Sequence, residues 1–132
     1  MGESDAALLL MRKADEGLQA LGNMLDPASF SNAIFGFHAQ QAVEKATKAW
    51  LIVAGWDPPN SHDLRSLFME LEQRCGVDAV QLRLLLELNA YAVRWRYGDD
   101  STGPVLNRLA VLGKVVAFTA LARAAVVGVQ TE

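Results

Sequence analysis

A chain of 132 residues, 52% hydrophobic and only 20% charged, has the length for one domain with a proper core and the composition of a folded protein. Its net charge of −3 excludes a global basic field, so contact with nucleic acid has to come from a local patch, and DNA binding is not expected. The single cysteine, Cys75, excludes an internal disulfide and a cysteine-based zinc site and suits a reducing cytosol, so a cytoplasmic location is expected.

No stretch alternates apolar and polar residues in the manner of a strand, and helical periodicity dominates instead. The opening MGESDAALLLMRKADEG lacks the basic and then apolar pattern of a secretory signal. A first helix is predicted over Asp5 to Met24, capped by Ser4 or Asp5, with Leu8, Met11, Leu18 and Leu21 facing inward. Asp26-Pro27 breaks it.

The second helix is predicted from Ser29 or Ser31 to about Ala54, where Gly55 can take the left-handed conformation that ends helices. Phe35, Ala39, Ala42, Ala46, Ala49 and Val53 share one face, and the alanines leave room for another helix backbone. His38, Gln41, Glu44, Lys45 and Lys48 gather on a neighbouring face, because residues three and four apart are neighbours.

Asp57-Pro58-Pro59-Asn60 reads as a rigid turn. Ser61 is the expected cap of a third helix to about Arg74, with Leu64, Leu67, Phe68 and Leu71 inward and Gly76 as its stop. A fourth helix starts at Asp78 and carries Val80, Leu84, Leu85 and Leu88 towards Tyr91 or beyond; Arg94 to Gly103 is then a loop. Pro104 suits the first turn of a fifth helix running to about Gly128. That helix is apolar around most of its circumference, but Asn107, Arg108, Lys114 and Arg123 interrupt it. Spanning a bilayer takes roughly 20 mostly uncharged residues, so a buried or interface helix is expected instead. With no repeat and no linker, residues 1–132 read as a single all-α domain, a five-helix up-and-down bundle with enough apolar surface to favour self-association.

The segment FHAQQAVEKATKAWLIVAGWDPPNSHDLRSLFMELEQR, Phe37 to Arg74, has a distinctive order: Gln-Gln-Ala-x-Glu-Lys-Ala-x-Lys-Ala, then Gly-x-x-Pro-Pro, then His-Asp-Leu-x-x-Leu. A second piece is Asn89-Ala-Tyr91 followed by Arg96-Tyr97-Gly98-Asp99. These pieces resemble the HEPN domain family, in particular its nucleotidyltransferase-associated branch, and the resemblance extends from about Ala7 to Val126. It implies a five-helix bundle, usually dimeric, working beside nucleotides, nucleotidyltransferases and RNA. One large branch has an Arg-Tyr-Pro-Asp-like turn where this chain has Gly98, which implies a looser loop here.

The resemblance stops at catalysis. HEPN ribonucleases carry an Arg followed four to six residues later by His, and this chain has only His38 and His62, with no arginine at that spacing before either. Nor does Gly98-Asp99-Asp100-Ser101 match the magnesium-binding pattern of a nucleotidyltransferase. The chain is therefore expected to be that enzyme's partner, or one half of a toxin–antitoxin-like pair, with no catalytic residue assigned. A ribonuclease using unorthodox residues, with His38 meeting Arg94 or Arg96, and a non-catalytic dimeric interaction module are the alternatives.

Arg94 and Arg96, interleaved with Tyr91, Trp95 and Tyr97, form the densest cationic and aromatic cluster. Guanidinium groups clamp phosphate bidentately and aromatic faces stack on bases; the structural alternative pairs the arginines with Asp99, Asp100 or Glu87. Gln41, Glu44, Lys45 and Lys48 join the candidate ligand set through the resemblance, which implies lysines on phosphate and Gln or Glu on base or ribose. The alternative for them is a solvated face of i,i+4 pairs worth about 0.2–0.5 kcal/mol each. His62 is expected to fix its turn by hydrogen bonding and His38 to be partly buried. Neither histidine has a glutamate three residues before it, as a di-iron bundle requires, so no metal and no cofactor is expected. The expected partners are a second copy of the chain, a nucleotidyltransferase-type protein, and a nucleotide or short RNA, with no membrane.

Overall fold

The computed structural model describes residues 3–58, 60–90 and 106–130. Among them are five helices and no strand: α1 Glu3–Gly22, α2 Asn32–Val53, α3 Leu64–Cys75, α4 Ala79–Leu86 and α5 Arg108–Gln130. The all-α expectation is met.

Helix α2 is the axis of the bundle, with α1, α3 and α5 packed around it. Its alanine stripe explains why: Ala39, Ala42, Ala46 and Ala49 are all buried, along with Phe35 and Val43. Without side chains beyond Cβ, this stripe lets neighbouring helices approach closely. A Cβ built on Gly17 of α1 would meet the Ala42 Cβ at 3.6 Å, so the two backbones run at ordinary contact distance there. Trp50 of α2 and Phe68 of α3 both stack near Phe118 of α5, with ring centroids 6.1 and 5.9 Å away. These rings close the core at the end where α2, α3 and α5 meet.

The termini follow local chemistry. Ser31 caps α2, its hydroxyl accepting from the Ile34 N–H at 3.2 Å. Gly55 ends the helix with φ +89, and the Trp56 N–H returns to the Leu51 carbonyl at 3.0 Å, the six-to-one bond of a left-handed C-terminal motif. Gly76 ends α3 at φ +65. Helix α3 is capped by Asp63, not by Ser61: the Asp63 carboxylate accepts from the Arg65 N–H at 3.0 Å, while the Ser61 hydroxyl accepts from the Asp63 N–H. A carboxylate is the stronger acceptor for the partial positive charge of a helix N-terminus.

Three helices are bounded otherwise than expected. Helix α1 already includes Ser4 and Asp5 and stops at Gly22 instead of Met24. The Met24 carbonyl, freed from the helix, is taken by Arg108 at 2.7 Å. Helix α4 ends at Leu86, short of Tyr91, because the chain turns at Glu87 and Leu88 and commits Asn89 to the start of α3. Helix α5 begins at Arg108, its first turn closed by Asn107, whose Oδ1 accepts from the Ala110 N–H at 3.0 Å. Pro59 and Pro104 lie outside the described residues.

Helix α4 turns only one face inward. Val80 is 59% and Leu84 48% exposed, whereas Leu82 and Leu85 are buried. A helix this apolar has more than one candidate face, and only one can reach α3 and the core. Helix α5 likewise turns a single face inward. By length and composition alone it could cross a membrane, and 28% of that apolar stretch is buried within the bundle. Val115, Phe118, Thr119, Ala122 and Val126 are the buried set, and Arg123 is ion-paired with Asp15 of α1.

Candidate functional site

Polar residues on α2 recur at positions 40, 44 and 47, one helical turn apart, and all three are buried: Gln40 and Thr47 fully, Glu44 to 3% exposure. Buried polar groups require partners, and each has one. The Thr47 hydroxyl donates back to the Val43 carbonyl at 2.7 Å, within its own helix. Gln40 reaches out of the helix, its amide donating to the His62 carbonyl at 2.8 Å and lying 3.4 Å from a Glu44 oxygen. Gln41 donates to the Gln40 side-chain oxygen at 2.8 Å.

Glu44 is the centre of this cluster. Lys48, one turn on, donates to its Oε2 at 3.1 Å, and the Nδ1 of His62 lies 3.1 and 3.0 Å from its two oxygens. An ionised carboxylate only accepts hydrogen bonds, so Nδ1 carries the proton in this contact. The other ring nitrogen, Nε2, remains on a side chain that is 52% exposed. The expected turn-fixing role of His62 is met through both its ring and its carbonyl.

The next residues extend the network to α4. The Asn89 side-chain oxygen accepts from the Leu64 N–H at 3.0 Å, and its amide donates to Asp63 Oδ1 at 2.7 Å. Three stretches distant in sequence thus meet at the turn from His62 to Leu64: the middle of α2, the start of α3 and the chain just after α4. Residue 89 leads within two positions to Tyr91 and the arginine and tyrosine cluster.

Of the candidate residues, Tyr91, Arg94, Arg96 and Tyr97, with Trp95, lie outside the described residues. Gln41, Glu44 and Lys48 come together in the cluster above, with both of the Glu44 oxygens engaged. Lys45 is half-buried and sits near His38: partial burial, and then the positive charge of Lys45, hold the His38 imidazole below its usual pKa. Burial pushes the Cys75 thiol up, against the opposing charge of Arg74. Arg74 also lies over the Trp56 ring, 4.8 Å from its centroid, which accounts for Trp56 as helix-end packing.

Sequence reasoning missed Gln40, Asn89 and Arg108. Gln40 precedes Glu44 by one turn, a spacing that does point to a shared face. Asn89 stands out in the sequence only as the first residue of the Asn89-Ala-Tyr91 motif. Arg108, 7% exposed, donates to the carbonyls of Met24 and Phe30 at 2.7 and 2.5 Å and to the Asn32 side chain at 2.9 Å. It lies 5.3 Å from the Phe35 ring centroid and thereby staples the α1–α2 connection to α5.

A groove of about 190 Å³ lies elsewhere, between α3 and α4, lined among others by Arg65, Phe68, Leu82 and Arg83. It is smaller than the roughly 300–1,000 Å³ of small-molecule sites, and none of the candidate residues borders it. Among the described residues no three His, Cys, Asp or Glu side chains form a metal-binding group.

The fold and this polar junction define an all-helical bundle in which a long central helix is tied by a buried glutamate to a Pro-Pro-x-x-His-Asp turn. The HEPN domain family model matches residues 7–127, and the chain belongs to that family. No curated protein matches it in sequence.

Proposed function

We propose that this HEPN-domain protein binds a nucleotide or short RNA at the edge where α2, the His62 turn and Asn89 meet, as the partner of a small nucleotidyltransferase or in a toxin–antitoxin-like pair. The observation that carries the reading is the double tie of the His62–Leu64 turn, to Glu44 and Gln40 on one side and to Asn89 on the other. It supports a rigid edge that includes Asn89, a residue followed within a few positions of sequence by Tyr91, Arg94, Arg96 and Tyr97. Arginine and lysine then meet phosphate, and the tyrosines offer faces for a base. A net charge of −3 favours a compact nucleotide over a long RNA, whose contacts would need many more cations.

Calorimetric titration with ATP, other nucleotides and a short RNA tests this. The expected result is saturable binding that Arg96→Ala abolishes and Lys48→Ala weakens. Heats equal to dilution for every ligand at millimolar concentration would overturn it.

A second reading, a ribonuclease using unorthodox residues, draws support from the same pair of side chains. A buried carboxylate that fixes the tautomer of a half-exposed imidazole is an arrangement suited to a general base. It predicts RNA cleavage without added metal that is lost in His62→Asn; cleavage that survives this substitution would discard His62 as the base.

A further inference from the structure

The groove between α3 and α4 combines two kinds of surface. Its floor is apolar: Phe68 and Leu82 are buried there and Leu86 is half-buried beside them. Its walls are exposed and mostly charged. Arg65, Met69 and Glu72 follow one another at helical spacing along α3, and Arg83 stands on α4. The two arginines differ from their neighbours in having no partner. Arg74 is paired with Glu70, Arg123 with Asp15, and Arg108 is held by backbone carbonyls. Among the described residues no carboxylate lies within ion-pair distance of Arg65 or Arg83, although Glu72 lines the same groove. Apolar surface also extends past the rim, with Met69 56%, Val80 59% and Leu84 48% exposed.

We propose that this groove docks an acidic, apolar peptide segment of a partner protein. One large apolar side chain of the segment enters between α3 and α4, and its flanking carboxylates meet Arg65 and Arg83. Size selects the inserted group. An apolar cavity of about 150 Å³ accepts a benzene-sized molecule, so a groove of about 190 Å³ suits one leucine or phenylalanine side chain. Met69 on the wall can adapt to either, because its unbranched thioether reshapes at little cost. Charge selects the flanks. A guanidinium presents a planar fork that matches a carboxylate, and beside an apolar floor that contact is partly shielded from water.

RNA is the less suited occupant. A nucleic-acid backbone needs a row of cations, whereas here Glu72 shares the groove and Asp63 and Asp78 cap the two helices that form it. The inference also stands apart from nucleotide binding. Gln40, Glu44, His62 and Asn89 do not line this groove, so either site can be filled or fail without the other.

The test selects a phage-displayed library of random dodecapeptides on the immobilised full chain, after depletion on the doubly substituted Arg65→Glu, Arg83→Glu chain. Enriched sequences should set Leu or Phe beside Asp or Glu. The leading peptide, synthesised with a fluorophore, should bind saturably by anisotropy. Arg65→Gln and Arg83→Gln together should weaken it at least about tenfold, the loss of charge-assisted contacts, with helicity unchanged. Both side chains are exposed, so the variants should fold. Should the glutamate at position 83 disturb the last turn of α4 through the helix dipole, the doubly glutamine-substituted chain replaces it in the depletion. In spectra of methyl-labelled methionine, peptide should shift the Met69 signal and leave that of Met11, 4% exposed in the core, in place. No enrichment, enriched sequences without acidic residues, or binding indifferent to both glutamine substitutions would overturn the proposal. A short RNA that displaces the peptide and itself shifts Met69 would overturn it in favour of nucleic acid.

Discussion

The Nδ1 of His62 lies 3.0 Å from Oε2 of Glu44, across 18 residues of sequence. The glutamate is 3% exposed and the histidine side chain 52%, so the contact runs from the interior of the bundle to its surface. A carboxylate at that depth is tolerable because Lys48 and Gln40 reach it as well; stripped of partners it would cost several kcal/mol. The chemistry that makes the junction stable is the same chemistry that orients the imidazole.

Removing either partner should therefore be felt globally. Glu44→Ala is expected to lower stability by about 2 kcal/mol and His62→Ala by about 1 kcal/mol, the smaller value reflecting the exposed ring. In urea denaturation the double variant should fall short of the sum by about 1 kcal/mol. Strict additivity would show that the pair carries no coupling.

Arg108 is the second staple, and its fork geometry matters more than its charge. Arg108→Ala leaves the carbonyls of Met24 and Phe30 without their donor and is expected to cost about 3 kcal/mol, with Arg108→Lys recovering less than half because an ammonium cannot span both. Thermal melts followed by circular dichroism provide the comparison. A lysine variant as stable as the parent would refute the geometric argument.

His38 predicts a pH dependence with a definite sign. Burial and Lys45 hold its folded pKa below the ordinary value of 6.5, so between those two values the unfolded chain binds more protons than the folded one. Stability contributed by the neutral ring is thus fully present above the unfolded pKa and is lost as pH falls through the folded pKa. The proton-NMR titration midpoint of His38 should lie below 6.5, and Lys45→Gln should move it upward.

Two glycines should respond oppositely to alanine. At Gly17 the new Cβ meets Ala42 at an ordinary 3.6 Å, so Gly17→Ala should stabilise the helix by about 0.5–1 kcal/mol. At Gly55 the backbone has φ +89, and Gly55→Ala should destabilise by about 1 kcal/mol or more although nothing blocks the side chain. Equal effects at the two positions would contradict the assigned backbone conformations.

Much of the bundle was legible without coordinates, and the particular residues show why. Helical spacing alone marked Ala39, Ala42, Ala46 and Ala49, and likewise Leu64, Leu67, Phe68 and Leu71, all of which are buried. Ser31, Gly55 and Gly76 were readable as helix ends because capping depends on neighbours within a few residues. The family itself was readable from the Phe37–Arg74 segment, and the family match over residues 7–127 agrees. Helix α4 marks the limit: with apolar residues on several faces, its pattern did not distinguish Leu82, which is buried, from Val80 and Leu84, which are exposed.

What the amino-acid sequence determined by itself is therefore what local physics controls: the all-helical class, both ends of α2 and the C-terminus of α3, the alanine seam of α2 and the HEPN assignment. Only the tertiary structure decided that Glu44 and Gln40 turn inward to His62, that Asn89 secures Asp63 and Leu64, that Arg108 staples the α1–α2 connection, and that one apolar face of α5 stays uncovered. Each of these is a meeting of groups far apart in the chain. Periodicity specifies the face on which a residue lies but not what approaches that face, and a buried polar group is defined by the partner that reaches it.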